Sequence, residues 1–383
     1  MSPRRRAAIV GVAESDLGRT PHLTVLSQQA QASRAALAEA GLSPGDVDGL
    51  FTAGNWSWAP ALTLAEYLGM HPDHLDGTNI GGSSFEAHLG HATAAIEAGL
   101  IDVALITYGS TQRSDRSRGR PRPATLTEQY EQPFGLPQPV GAYALAAARY
   151  LYEYGVTSEE LAEVAVSARQ WAALNPRAYY RDPITVDDVL ASPLIAEPLH
   201  KLDCCLVTDG GGAVVVAAED RWQDVATRPV VVRGHAETTT HASISQMPDL
   251  TVTGAARTGP LALRRAGITH ADVDLLAVYD SFTITVLLTL ESLGFCKPGE
   301  GGRFVADGRT APGGELPMNT NGGGLSYTHP GMYGIFLLIE ATRQLRHDYR
   351  EQPGRQVDGA ELALVHGTGG VLSSTSTVVL SRS

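Results

Sequence analysis

The chain repeats itself. Residues 36–50 read ALAEAGLSPGDVDGL and residues 262–276 read ALRRAGITHADVDLL; eight of the fifteen positions are identical, and Leu42/Ile268 and Ser43/Thr269 differ conservatively. Each copy carries the end of an amphipathic helix, a glycine placed to cap it (Gly41, Gly267), a Ser or Thr suited to start the next turn, and Asp-Val-Asp leading into an apolar strand. A chain that duplicates such a junction is constrained to two halves of one local design.

A second pair extends the duplication. DVALI at 102–106 follows a helical segment from Ala87 to Ala98, and ELALV at 361–365 follows another from Gly334 to Leu345. A glycine-rich turn precedes each helix, IGGSS at 80–84 and NGGGLS at 321–326. The offset between copies is 226 residues for the first pair and 259 for the second, so loops of unequal length separate the shared elements. The runs AAIVGVA (7–13), AVVVAA (213–218) and VVVRG (230–234) are β-rich. Strands alternating with helices predict a layered α/β fold. The polar stretch 219–229 marks the boundary, giving halves 1–224 and 225–383, with an irregular and then helical excursion over about 111–200 in the first.

Composition excludes several function classes. A net charge of −12 offers no broad nucleic-acid footprint, and the longest apolar runs fall short of a membrane span. The run after Arg4–Arg6 is short, contains Gly11 and ends at Glu14, so it reads as a first strand rather than a secretory signal, and a cytoplasmic chain is expected. Three cysteines, two of them adjacent (Cys204, Cys205), fit a reducing compartment, and no zinc-type spacing exists. Five arginines crowd residues 113–122. They form either a solvated surface loop or a segment that helps hold a phosphorylated ligand.

The duplicated halves, with LDCCLVTDGGGAVVV (202–216), YDSFTITVLLTLESLGFC (279–296), NTNGGGLSYTHPGMYG (319–334) and VHGTGG (365–370), resemble the thiolase superfamily over essentially the whole chain. The sterol-carrier or lipid-transfer-protein type is the nearest match. The resemblance implies a five-layered αβαβα architecture. Thiolases place a nucleophilic cysteine at the start of the first half's central helix, where the helix N-terminus favours a thiolate. The matching residue here is Gly82, which cannot carry an acyl group. Ser83 and Ser84 follow, either as helix caps, the reading preferred here, or as a substitute acceptor.

Three further positions carry chemistry by the same resemblance. His329 in Tyr-Thr-His-Pro matches the histidine of the family's Gly-His-Pro, and His366 in His-Gly-Thr-Gly-Gly matches its second catalytic cysteine. Tyr279 in Tyr-Asp-Ser-Phe matches the start of His-Asp-Cys-Phe. The alternatives are a turn-stabilising His329, a satisfied core His366 and a packed Tyr279; Asp280 orients a neighbour or caps the next helix. The glycine turns imply contact with an acyl-CoA at Gly82, Ser83, Gly323 and Gly369. The three cysteines read as buried small hydrophobes, and Asp209 as a turn former.

Cysteine-free members of this type are aldol lyases of steroid side-chain degradation, and Tyr-Asp-x-Phe looks like theirs. The chain departs from them in keeping His329-Pro330 where they carry a tyrosine; Tyr327 lies two residues away. The expected function is retro-aldol cleavage of a β-hydroxyacyl-CoA with a steroid or other lipid side chain. As a base, Tyr279 would need a positive charge or donors to bring its pKa down from about 10, or would act through a relay. The alternatives are a Claisen-type acyltransferase using Ser83 or His366, and a non-catalytic acyl-CoA-binding subunit. The coenzyme A thioester enters as substrate, with no covalently held cofactor and no metal. A homodimer is expected, with a small zinc-ribbon/OB-fold protein as possible partner.

Overall fold

A computed structural model describes residues 5–115 and 125–383; Arg116, Arg118, Arg120 and Arg122 lie outside the described residues. The strands are β1 (Ala7–Glu14), β2 (Gly49–Thr52), β3 (His74–Asp76), β4 (Val103–Ser110), β5 (Leu194–Ala196), β6 (Leu199–His200), β7 (Gly210–Ala218), β8 (Val230–Thr239), β9 (Leu275–Val278), β10 (Leu362–Gly369) and β11 (Ser374–Arg382). The α-helices are α1 (Val25–Ala40), α2 (Pro60–Leu68), α3 (Ser84–Glu97), α4 (Leu126–Tyr130), α5 (Val140–Tyr154), α6 (Ser158–Leu174), α7 (Val186–Ala191), α8 (Ala255–Ala266), α9 (Thr283–Leu293), α10 (Gly301–Ala306) and α11 (Gly334–Arg346).

The repeat folds twice into the same junction. Gly41 ends α1 at φ 76° and Gly267 ends α8 at φ 72°, the left-handed conformation glycine adopts without a Cβ penalty. Asp46 accepts the backbone N–H of Ser43 at 2.8 Å, and Asp272 that of Thr269 at 2.7 Å. Each junction leads into a short strand, β2 or β9, that pairs in parallel with β4 or β10. β4 then pairs antiparallel with β7, and β10 with β11. The full order is β3-β2-β4-β7-β1-β8-β11-β10-β9, the two halves meeting where Ala8 and Ile9 pair with Val231 and Val230.

The strands are apolar on both faces because both faces are covered. In β4, Ala104 and Ile106 enter the central core while Val103 and Leu105 enter an outer one. In β9, Leu275 and Ala277 face the central core while Leu276 and Val278 face the opposite outer core. The central core is filled by α3 and α11 (Phe85, Leu89, Phe336, Ile339). α1 and α2 cover the first half, and α8 and α9 the second. This is the five-layered αβαβα arrangement. The helical excursion belongs to the first half in sequence, yet Tyr143, Tyr150 and Leu161 of α5 and α6 pack in the outer core of the second half.

Candidate active site

Tyr279 follows β9 at its C-terminal end, and its N–H donates to His366 O at 2.9 Å, continuing the parallel ladder with β10. Its phenol turns into the central core, where its oxygen lies 2.9 Å from His329 Nε2 and accepts the backbone N–H of Tyr333 at 3.1 Å. With that donor in place, the phenol's own proton is directed to His329 or, at 3.4 Å, to Gly331 O. The two rings meet edge to face at 5.6 Å.

His329 is pinned from behind. Its N–H donates to Thr208 Oγ1 at 2.9 Å, its carbonyl accepts the Thr208 N–H at 3.3 Å, and Thr208 and Thr328 share a hydroxyl hydrogen bond. Asp280 orients this turn rather than capping the helix after it, taking the N–H groups of Gly324 at 2.6 Å and Leu325 at 3.2 Å. Gly323 is required there: its φ is 65°, and a Cβ would stand 2.0 Å from Asp280 Oδ2. Burial pushes the Asp280 carboxyl up to about 7, against the pull of those N–H groups.

Gly82 lies in the turn before α3, against the Tyr279 ring. A Cβ on Gly82 would stand 2.3 Å from Tyr279 Cε2 and 2.6 Å from Thr368 O. The phenol ring therefore fills the space a side chain at position 82 would use. Both groups open onto a cavity of about 700 Å³, with Thr368 and Gly369 on its floor and Phe282, Leu206 and Met332 in its apolar wall. Two exposed cations, Arg113 and Lys201, also line it, and Arg113 lies 5.1 Å from the centre of the Tyr179 ring.

Of the residues singled out from sequence, Tyr279, His329, Gly82 and Gly369 come together at this cavity, whereas His366, Ser83 and Gly323 do not line it. His366 shares its strand face with Leu364, which points to the outer core, as the two-residue period of a strand requires. Its Nδ1 meets Thr377 Oγ1 at 2.8 Å, and Thr377 in turn bonds Thr258 of α8. Its Nε2 has no hydrogen-bond partner among the described residues, and burial pushes its pKa down to about 3. Ser83 Oγ is tied to Ser374 Oγ at 2.8 Å and Ile80 O at 3.3 Å.

The phenol of Tyr279 is not lowered toward neutrality, which leaves the relay of the two ways it could act: burial raises it well above its ordinary value, and burial likewise pushes His329 down to about 4. Both partners are neutral at pH 7. The cysteines are half-buried rather than buried, and Cys204 and Cys205 line the cavity. Burial, helped by Asp203, pushes the Cys204 thiol up to about 12, and burial with Asp280 raises Cys205 further. Neither has the electropositive surroundings that make a thiolate nucleophile. Tyr327 points away, its hydroxyl donating to Glu14 Oε2 at 2.6 Å.

Sequence reasoning missed Tyr143, which lines the cavity and donates to Gly370 O at 3.1 Å, and the backbone N–H of Tyr333. Nothing local marks Tyr143 inside an alanine-rich helix. It also missed Glu86 of α3, fully buried with neither oxygen hydrogen-bonded among the described residues, its carboxyl pushed up to about 8 by burial. Among the described residues no cluster of His, Cys, Asp or Glu is placed to hold a metal ion, and no helix is long and apolar enough to cross a membrane.

Residues 236–382 match the family described as Thiolase C-terminal domain-like. The 17-hydroxy-3-oxo-4-pregnene-20-carboxyl-CoA lyase of Mycobacterium tuberculosis is 36% identical over 89% of this chain and 92% of its own length. An acetyl-CoA acetyltransferase of Methanothermobacter thermautotrophicus is 32% identical over 99% of this chain and 100% of its own. Among solved structures, the Ltp2-ChsH2(DUF35) aldolase superposes with a TM-score of 0.90 at 32% identity, covering 98% of each chain.

Proposed function

We propose that this chain, which belongs to the thiolase superfamily, cleaves a carbon–carbon bond beside a coenzyme A thioester by a retro-aldol reaction. The observation that carries the reading is the exchange of groups at one point in space: no side chain at Gly82, and the ring of Tyr279 where that side chain would stand. An acyl-enzyme has no acceptor there. A neutral phenol hydrogen-bonded to a neutral imidazole, at the floor of a largely apolar cavity, suits proton movement without covalent attachment.

The step balances through this pair. The substrate's β-hydroxyl gives its proton to Tyr279 oxygen as Tyr279 passes its own to His329 Nε2. The Cα–Cβ bond breaks, Cβ–O becomes a carbonyl, and the bonding pair is left on the thioester as an enolate. The imidazolium so formed is a strong acid, because burial disfavours its charge. It returns the proton through Tyr279 to the enolate carbon, giving a ketone and a shortened acyl-CoA. The lyase relative's name supplies the substrate class, a steroid bearing a carboxyl-CoA side chain, and the cavity's size and apolar wall agree with a polycyclic acyl group. Arg113 and Lys201 would meet the phosphates of coenzyme A.

The acetyltransferase relative motivates the other reading, a Claisen-type transfer. Ser83 and His366 are its available acceptors, and neither lines the cavity. For assembly, β3 pairs only with β2 among the described residues, and Leu75, Leu62 and Trp58 beside that edge are exposed, which supports a homodimer built across it. The two-part name of the Ltp2-ChsH2(DUF35) aldolase supports a partner protein, here a small zinc-ribbon/OB-fold chain.

The test is incubation with a β-hydroxyacyl-CoA whose β-carbon lies in a steroid ring. Ketone and shortened acyl-CoA should appear in equal amounts, with no added free coenzyme A and no mass increase on the protein. A stable acyl adduct, or cleavage that consumes free coenzyme A, would overturn the proposal.

A further inference from the structure

A second pocket lies at the other end of α11. From Gly334 beside the catalytic turn the helix runs 13 residues, about 20 Å at 1.5 Å per residue, to Arg346. There a pocket of about 480 Å³ opens between the end of α11, the approach to β8 and the end of β11. Arg228, Arg346, Arg350 and Arg382 line it, together with Glu39 and Asp348. Both carboxylates are also met by Arg343 Nη1 at 3.3 Å, and Arg228 Nη2 donates to Ser383 O at 2.8 Å, so the pocket keeps an excess of positive charge in a chain whose net charge is −12.

Arg346 is only 7% exposed. Its Nε donates to Arg228 O at 2.9 Å, and its Nη2 to Ile9 O at 3.3 Å and Thr227 Oγ1 at 3.2 Å. Among the described residues its Nη1 is buried without a hydrogen bond, and Glu39 Oε1 lies 3.6 Å away. Arg382 Nε is likewise buried with no hydrogen-bond partner among the described residues. Buried donors left open are costly unless something accepts from them.

The helix end is shaped to hold these groups. α1, α2, α5, α8 and α9 end on a left-handed glycine, whereas α11 ends on His347 at φ 62°. A side chain there is disfavoured. The imidazole of His347 lies 3.2 Å from Arg382 Nη1, and its carbonyl accepts Arg350 Nε at 3.3 Å. One strained residue thus fixes two of the four arginines.

We propose that this pocket is a binding site for a dianionic phosphate group, separate from the catalytic cavity. A dianion suits the excess of positive charge, and guanidinium forks match the geometry of phosphoryl oxygens. The probe is inorganic phosphate, titrated calorimetrically into the full chain at constant ionic strength, with chloride as the control. Saturable binding is expected, and Arg350→Gln or Arg382→Gln should weaken it about tenfold or more, the loss of one charge-assisted hydrogen bond. Arg257→Gln, on exposed α8 surface, should leave it unchanged. If Arg382→Gln does not fold, Arg350→Gln and Arg228→Gln, both exposed, decide the same question. Adenosine monophosphate binding more tightly than phosphate would identify an organic ester as the ligand; equal or weaker binding would identify the free ion. No saturation, equal response to chloride, or affinity untouched by the pocket variants would overturn the site.

Discussion

A methyl group at residue 82 would have to share space with Tyr279. In Gly82→Ala the new carbon would start 2.3 Å from Tyr279 Cε2, against an ordinary carbon–carbon contact of about 3.5–4.0 Å. The gap must open by more than about 1 Å. It cannot open on the other side, where Thr368 O at 2.6 Å belongs to the backbone of β10, held in register by β9 and β11. The ring must move, and its hydroxyl leaves the 2.9 Å contact with His329. A displacement of that size costs about 10²-fold in rate. Overpacking costs about 1–3 kcal/mol, less than the 5–15 kcal/mol or so that holds a typical domain folded. The assay is kcat/KM for carbon–carbon cleavage alongside thermal unfolding, and the expected result is a folded, slightly destabilised protein with about 10²-fold lower turnover. Gly82→Cys should behave alike and form no acyl adduct, while Gly82→Cys combined with Tyr279→Ala frees room for the thiol. Wild-type turnover in Gly82→Ala would refute the account of Tyr279.

Other expectations follow from the same geometry. Tyr279→Phe and His329→Gln should each lower kcat by about 10²–10⁴-fold, with the KM for acyl-CoA little changed; calorimetric binding of the acyl-CoA checks that the cavity survives. Because the phenol is raised and the imidazole held near 4, neither should put a limb in the turnover profile between about pH 5 and about pH 9; a limb near 7 belongs to Asp280 and should persist in His329→Gln, whereas a limb near 6.5 that disappears in His329→Gln would contradict this. Cys204→Ser with Cys205→Ser should retain lyase turnover, since neither thiol ionises near neutrality; its abolition, measured by product release, would point to sulfur chemistry after all. Stability carries two opposed pH dependences. His88 and His329, held near 4, and His366, near 3, stay neutral while the unfolded chain protonates below about 6.5, so their contribution is lost as pH falls through that window. Glu86, raised to about 8, stays protonated while the unfolded chain ionises above about 4.3, so stability is lost as pH rises from there to about 8. Glu86→Gln removes that loss. Its stability relative to the parent, from urea unfolding at pH 5 and pH 8, should improve with pH by on the order of a few kcal/mol.

What the sequence displayed, and what it hid, divides along the range of the interactions. The duplication was legible because its junctions are local: Gly41 and Gly267 cap a helix, and Ser43–Asp46 and Thr269–Asp272 tie a turn, all within a few consecutive residues. The burial of both sheet faces was legible in continuous apolar runs such as AVVVAA, with no need to know what covers them. His366 is partly legible, since it lies two residues from Leu364 and a strand's period puts both on the outer face, whatever the motif it matches. Electrostatics was not legible. The direction of the Tyr279 shift depends on burial supplied by segments far away in the chain, among them α5 with Tyr143 and the 329–333 turn, and no local pattern announces that they converge. The same convergence brings Cys204 and Cys205 to the cavity. A glycine at 82 and a tyrosine at 279 are each visible as departures from a thiolase pattern, 197 positions apart in the chain. In three dimensions they are one substitution. The bulk absent at the helix start is supplied from the strand end, and on the reaction proposed above that places a proton carrier where a thiolase holds its covalent acceptor, so that neither change would be useful without the other.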